Sequence, residues 1–298
     1  MAPPPLSRRR TTPRISVVIP HYQDLDGLAN CLARLERQTF PRTDFEIVVA
    51  DNASPVGEAA VAAVIDGRAR LVVCAERGAG PARNAGVAAS SGEILAFTDS
   101  DCLPEPGWLE GGAAALERCD FVGGRMEVTV ADPARMAATE AFETVFAFDN
   151  EKYVRTMGFT VTANLFCARK VFDAVGGFRV GVSEDKDWSH RARDAGYRIG
   201  YAADAVVGHP ARRTWDDLQR KWRRLNQESF ALALDHPGGR LRWFLRLLAL
   251  PLSAVAHTPR VLSSGALPDG RRKMAALGVL YRLRWWRFAD GLRLLATP

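Results

Sequence analysis

The sequence predicts an α/β fold: a mostly parallel central sheet with helices on both faces, followed by a helical C-terminal extension. Short β-rich apolar runs alternate with helical patterns four times at roughly 25-residue spacing, as consecutive βα units do. The composition, 47% hydrophobic and 25% charged over 298 residues, is that of a globular chain and excludes collagen, coiled coil and wholesale disorder. The charge is divided along the chain. Residues 15–210 carry 19 basic and 28 acidic side chains, whereas residues 211–298 carry 17 basic and six acidic ones. The formal net charge of +6 therefore conceals an acidic body and a basic tail, a contrast that concerns partners rather than fold.

The elements follow in order. The run Ile15-Ser-Val-Val-Ile-Pro20 reads as a strand and residues 24–38 as a helix; Phe45 to Ala50 and residues 57–66 form the second such pair. Arg70 to Cys74 is followed by a helix from Pro81, and Ile94 to Thr98 by a helix over residues 107–118. In open parallel sheets ligands bind beyond the carboxyl ends of the strands. Three strands deliver polar groups there: His21-Tyr22-Gln23 follows Pro20, Asp51-Asn52-Ala53-Ser54 follows the second strand, and Asp99-Ser100-Asp101 follows the fourth. After the third strand, Gly78 and Gly80 permit close backbone approach, and Pro81 suits a first helical position whose unpaired N–H groups would face an anion. Asp99 and Asp101, two residues apart in an extended segment, can address one ligand, and their hard oxygens suit Mg2+ or Mn2+ carrying a diphosphate. A solvated turn is the bland alternative. A dinucleotide fingerprint is disfavoured because its third glycine would fall at Arg83.

Five collinear stretches carry a resemblance: Ile15 to Tyr22, Val48 to Ser54, Gly80-Pro-Ala-Arg-Asn-Ala-Gly86, Ser91 to Asp101, and Glu184-Asp-Lys-Asp-Trp to Gly196. Together they resemble family 2 inverting glycosyltransferases of the GT-A fold over about residues 15–210, like those of bacterial exopolysaccharide and cell-envelope synthesis. The resemblance implies a nucleotide-sugar donor, with a UDP-hexose preferred, and Mn2+ or Mg2+ as cofactor. Pro20, His21, Tyr22, Asp51, Asn52, Gly80, Arg83, Asp99 and Ser100 would bind the donor, with Asp51 on the uracil and Asp99 near the ribose. Asp101, with Asp99 and His209, would hold the metal. Asp185 of the Glu-Asp pair would be the base that deprotonates the acceptor, Glu184 being the runner-up. Asn164, within a strand-like run from Phe159 to Arg169, and Trp188 would line the acceptor side. Family members often show glycine where Ala53 stands.

The tail reads differently. Residues 1–14 are expected to be a disordered basic segment, 15–210 the catalytic domain, and 211–298 a basic amphipathic helical region. Trp215, Leu218, Trp222 and Leu225 recur at helical spacing with arginines interleaved. Processive family members carry Gln-x-x-Arg-Trp about here, whereas this chain has Gln219-Arg-Lys-Trp222, so transfer of one sugar is expected. The stretch from Trp243 to Ala256 is interrupted by Arg246 and Pro251 and too short to span a bilayer, and residues 277–295 place Leu277, Tyr281, Trp285, Phe288 and Leu292 on one face. The tail is expected either to cap the catalytic domain or to meet an anionic membrane surface, without binding nucleic acid. Five cysteines without a C-x-x-C pair, and a start with no apolar core, lead to an expected cytoplasmic location, peripheral on the inner face of the cell membrane. The acceptor would be a glycan or a lipid-linked sugar. The rival classes are a sugar-phosphate nucleotidyltransferase and a non-catalytic nucleotide-binding module.

Overall fold

The computed structural model describes residues 13–234 and 236–296. The first twelve residues of the expected basic N-terminal segment lie outside the described residues. The chain forms two compact units: one takes the residues up to Glu127 with Asn150–Val180 and Glu184–Gly208, the other Val128–Asp149, Gly181–Ser183 and the residues from His209 on. The segment Val128–Asp149 thus groups with the C-terminal helices, whereas the sequence placed it in the catalytic domain.

An eight-stranded sheet holds β1 (Ile15–His21), β2 (Phe45–Asp51), β3 (Arg70–Val73), β4 (Ile94–Phe97), β5 (Leu103–Pro104), β6 (Phe121–Thr129), β7 (Leu165–Ala168) and β8 (Ile199–Pro210), in the order β3-β2-β1-β4-β7-β6-β8-β5; all of it lies in the first unit except the last two residues of β6 and of β8. The half made of β3, β2, β1 and β4 is parallel, as the alternation with helices required; β7 pairs antiparallel with both β4 and β6, and β5 antiparallel with β8. β1 and β2 are buried along almost their whole length, which explains why they read as continuous apolar runs rather than alternating ones. Val17, Ile19, Ile47 and Val49 pack in one core cluster, with Leu28, Leu32 and Leu35 of α1 (Leu25–Leu35) and Val61 and Ile65 of α2 (Glu58–Ile65). Val18, Leu95 and Phe97, pointing the other way, join a second cluster with Val87 of α3 (Ala79–Ala88).

α4 (Trp108–Ala115) seats Gly112 against the Phe166 ring. A three-residue helical turn, α6 (Asn150–Lys152), precedes β7, and α7 (Arg169–Val175) and α8 (Glu184–Asp194) follow it. α3 begins at Ala79, two residues before the expected Pro81. Pro81 is tolerated there because the first four N–H groups of a helix have no intrahelical acceptor to lose.

The second unit holds α5 (Ala138–Phe146), α9 (Trp215–Leu234), α10 (Gly239–Leu262) and α11 (Gly270–Ala296). Phe142, Leu218, Ala254, Val261, Leu280 and Leu283 share its main core, while Trp243, Leu247 and Leu250 form another. Glu143, buried, accepts from the Arg212 backbone N–H at 2.7 Å and from Lys221 Nζ at 3.0 Å. Burial alone would raise its pKa, but the Lys221 and Arg212 charges outweigh that and hold the carboxyl below its usual range. Pro251 interrupts the apolar run but not the helix: α10 continues through both Pro251 and Pro259, 24 residues in all. No helix among the described residues is long and apolar enough to cross a membrane.

Candidate active site

The carboxyl ends of β1, β2 and β4 carry the expected polar groups. The parallel register sets His21 opposite Asp51, and His21 Nδ1 lies 2.7 Å from Asp51 Oδ1. Ser54 completes the arrangement: its hydroxyl donates to Asp51 Oδ1 at 2.5 Å and its N–H to Oδ2 at 2.9 Å. Asp51 is only 1% exposed. Burial pulls its pKa up, yet the two Ser54 hydrogen bonds and His21 more than offset that, so the carboxyl sits below the ordinary aspartate range and carries its charge. His21 Nε2 is buried without a hydrogen-bond partner among the described residues. The sequence motif contains Ser54 without marking this role for it. Its signal was the three-residue spacing from Asp51, at which a side chain of a turn and a backbone N–H can meet.

Asn52 is spent on the backbone. Its Nδ2 donates to the carbonyls of Cys74, at 3.1 Å, and Glu76, and its Oδ1 accepts from Gly78 N–H at 2.8 Å. These bonds shape the loop entering α3, where Gly78 takes φ 125°, open to glycine and closed to other residues. No side chain caps the start of α3, so the Ala79 and Gly80 N–H groups remain available to an anion. A Cβ on Gly80 would sit 2.7 Å from Glu184 Oε2, so the side chain that opens α8 reaches over the start of α3.

Arg83 lies inside the protein rather than on the surface of its helix. It is 2% exposed and donates from one Nη to Asp99 and from the other to Glu184. Burial opposes its charge, but Asp99 and then Glu184 overcome that and raise its pKa, so the guanidinium remains charged. The first acid of Asp-X-Asp and the first acid of α8 are thereby joined through one side chain. Asp185, next to Glu184, is half-buried and accepts from the Lys186 N–H. Asp187 is held by Arg191, 2.9 Å away, with Arg179 nearby.

Asp99, Asp101 and Cys102 place one ligand atom each within 4.8 Å of one another. Burial, reinforced by Asp99 and Asp101, pushes the Cys102 thiol well up, while the two carboxylates offer the hard oxygens that suit a divalent cation. Ser100 between them is half-buried, Pro20 is buried, and Tyr22 is 55% exposed.

Two expected acceptor positions need correction. Asn164 ends a short 3-10 turn (Thr162–Asn164) rather than lying in a strand; it is fully buried, accepts from Trp108 Nε1 at 2.9 Å, and donates to the carbonyls of Arg125 and Ala205. Trp188 is also fully buried, its Nε1 donating to the Gly176 carbonyl at 3.0 Å among the rings of Phe121, Phe172 and Phe178. With these polar groups engaged inside the protein, both residues support the framework instead of presenting a surface to an acceptor. His209 belongs to the second unit, where it is buried beside the Phe148 ring with Nδ1 2.9 Å from the Pro210 carbonyl.

A parallel half-sheet that ends in Asp51 and Asp-X-Asp, with an acidic helix tied back to it, is the architecture of GT-A glycosyltransferases. The chain belongs to glycosyl transferase family 2, whose model matches residues 16–185, and it has glycosyltransferase activity as its family function. It is 34% identical to glycosyltransferase AglE of Haloferax volcanii over 221 residues, 72% of each chain. It is 28% identical to the uncharacterized glycosyltransferase YwdF of Bacillus subtilis over 192 residues, 62% of this chain and 70% of that protein. Among solved structures, the mannosyltransferase PcManGT of Pyrobaculum calidifontis, determined with GDP-Man and Mn2+, superposes with a TM-score of 0.59 at 22% identity, covering 95% of this chain and 86% of that one. S. aureus TarS residues 1–349, in complex with UDP, gives 0.52 at 18% identity, covering 94% and 88%.

Proposed function

We propose that the protein moves one sugar from a nucleotide-sugar donor, with a UDP-hexose the first candidate, to a hydroxyl of a glycan or lipid-linked acceptor, inverting the anomeric centre. The proposal places it in cell-envelope or exopolysaccharide synthesis, cytoplasmic and peripheral on the membrane's inner face. The observation that carries it is the bridge from Asp99 through Arg83 to Glu184, which tethers the helix bearing Asp185 to the Asp-X-Asp. Glu184 is engaged by Arg83, which favours Asp185 as the base.

The acceptor proton passes to the Asp185 carboxylate as the hydroxyl oxygen bonds to the anomeric carbon. The bond from that carbon to the diphosphate oxygen breaks on the opposite face, in a single displacement. The uncapped N–H groups of Ala79 and Gly80 face the charge gathering on the leaving diphosphate, where preorganised donors act most strongly. Asp99 and Asp101 fit Mn2+ or Mg2+, and a bound cation would neutralise part of the diphosphate charge. Asp51, fixed and charged, presents an acceptor to a base-edge N–H.

The test is nucleotide release from UDP-glucose, UDP-galactose, UDP-N-acetylglucosamine and GDP-mannose with Mn2+ and mixed acceptors. Release that depends on acceptor, stops with EDTA and returns with Mn2+ is expected. Asp185→Asn is expected to lower transfer at least ~1,000-fold while leaving UDP affinity within a few-fold; retained transfer would remove Asp185 from the base role. Formation of diphosphate from a nucleoside triphosphate and a sugar phosphate would instead identify a nucleotidyltransferase.

A further inference from the structure

On the α11 face that the sequence singles out, Leu277, Phe288 and Leu292 pack against core clusters while Tyr281 and Trp285 stand exposed. α11 turns Leu280, Leu283 and Ala276 into the core of the second unit. α10 is apolar on two opposite sides. Trp243, Leu247, Leu250, Ala254 and Val261 lie on its buried side. On the other side Leu241, Leu245, Leu248, Leu252, Val255 and Leu262 stand exposed, from 46% at Leu248 to 71% at Leu252. At about 100° per residue these six fall within an arc of about 100°, and they extend along about 32 Å of helix. So long and continuous an apolar stripe is more than scattered surface leucines provide.

From this surface we infer that α10 lies in the plane of an anionic lipid leaflet, with the exposed stripe inserted among the acyl chains. The inference deepens the membrane part of the proposed function and rests on it; it does not depend on which sugar is transferred. Charge decides the occupant. α10 carries Arg240, Arg242, Arg246 and Arg260 and no acidic residue. On the same wheel Arg240 lies to one side of the stripe and the other three to the other. Two copies of this face apposed would bring like charges together, whereas acidic headgroups neutralise them. Each arginine near an anionic surface strengthens binding about fivefold. The helix does not qualify as a span, so the geometry is that of an interfacial helix.

The experiment is co-sedimentation of the full chain with vesicles of mixed phosphatidylglycerol and phosphatidylcholine, and with phosphatidylcholine alone. The comparison is the triple variant Leu245→Gln, Leu248→Gln, Leu252→Gln, whose side chains are exposed and so spare the core. Far-UV circular dichroism and transfer to a water-soluble acceptor report that the variant is folded. The wild type is expected to bind the mixed vesicles, and the triple variant at least tenfold more weakly with soluble transfer unchanged. A second variant, Arg242→Gln with Arg246→Gln, should weaken binding to the mixed vesicles alone.

Four results would overturn the inference: no binding by the wild type, equal binding by the triple variant, equal binding to phosphatidylcholine alone, or a dimer abolished by the triple variant without vesicle binding. Failure of transfer with every sugar nucleotide would count against the proposed function and leave the vesicle result standing on its own.

Discussion

Arg83 shows how one side chain sets the character of a site. A guanidinium presents two parallel donor edges, so it can hold Asp99 and Glu184 together, whereas the single ammonium of lysine cannot reproduce that fork. Arg83→Met is expected to lower transfer by at least ~100-fold. Because both acids keep part of their exposure, its stability cost should be only about 1–3 kcal/mol, below that of a fully buried broken pair, as urea denaturation would show. Ala53 supplies a contrasting prediction. It adopts φ 50°, in the left-handed region, where a Cβ costs roughly 1–2 kcal/mol. Ala53→Gly should gain up to about 1 kcal/mol after the greater freedom of an unfolded glycine is deducted, which thermal denaturation can measure. The sequence showed the unusual alanine but not its dihedral. Likewise it showed Asp51, Asp99, Asp101 and Arg83 at strand and helix ends, while the burial of Asn164 and Trp188 depends on partners such as Ala205 and Phe121, distant in sequence, that no local pattern exposes.

At the scale of elements, the β-α units of the parallel half were legible because β1, β2 and β4 are buried on both faces, and the edge strand β3 still reads as a β-branched run between turn signals. β1 begins at the expected Ile15 and runs one residue past the expected Pro20, to His21. The antiparallel half was harder to read. β5 has two residues and β7 four, and pairing supplied by remote strands determines both. Close approaches decide several helix positions. A Cβ on Gly86 would lie 2.6 Å from Val18 Cγ1, and one on Gly112 would enter the Phe166 ring. Gly112→Ala is therefore expected to cost about 1–3 kcal/mol by overpacking, despite alanine's better helix propensity, and urea denaturation would show it as a lower midpoint.

Across the molecule, acid should loosen both units. Asp51 in the first and Glu143 in the second have folded pKa values below the usual 3.8 and 4.5. The stabilisation each provides is complete above those usual values and disappears as pH falls through the lowered ones, because the unfolded chain then binds more protons. Melting temperature should therefore be flat with respect to these groups above about pH 5 and fall steeply below 4. Glu143→Gln should remove part of that slope while lowering stability at neutral pH; an unchanged slope would exclude Glu143 as a contributor. The uneven charge along the sequence also gains a physical meaning: the body's acids hold Arg83 and the candidate cation site, while much of the tail's base content lies on α10 and α11.

The close seat of α3 has one more consequence. Gly86 leaves no clearance against Val18, and Arg83 stands one turn earlier on the same short helix. The guanidinium cannot be re-aimed by small steps without reworking strand contacts as well, so this part of the site is resistant to gradual evolutionary drift. Diversification of the sugars and acceptors handled by such a chain must draw on side chains that stand clear of that helix, as the exposed Tyr22 does.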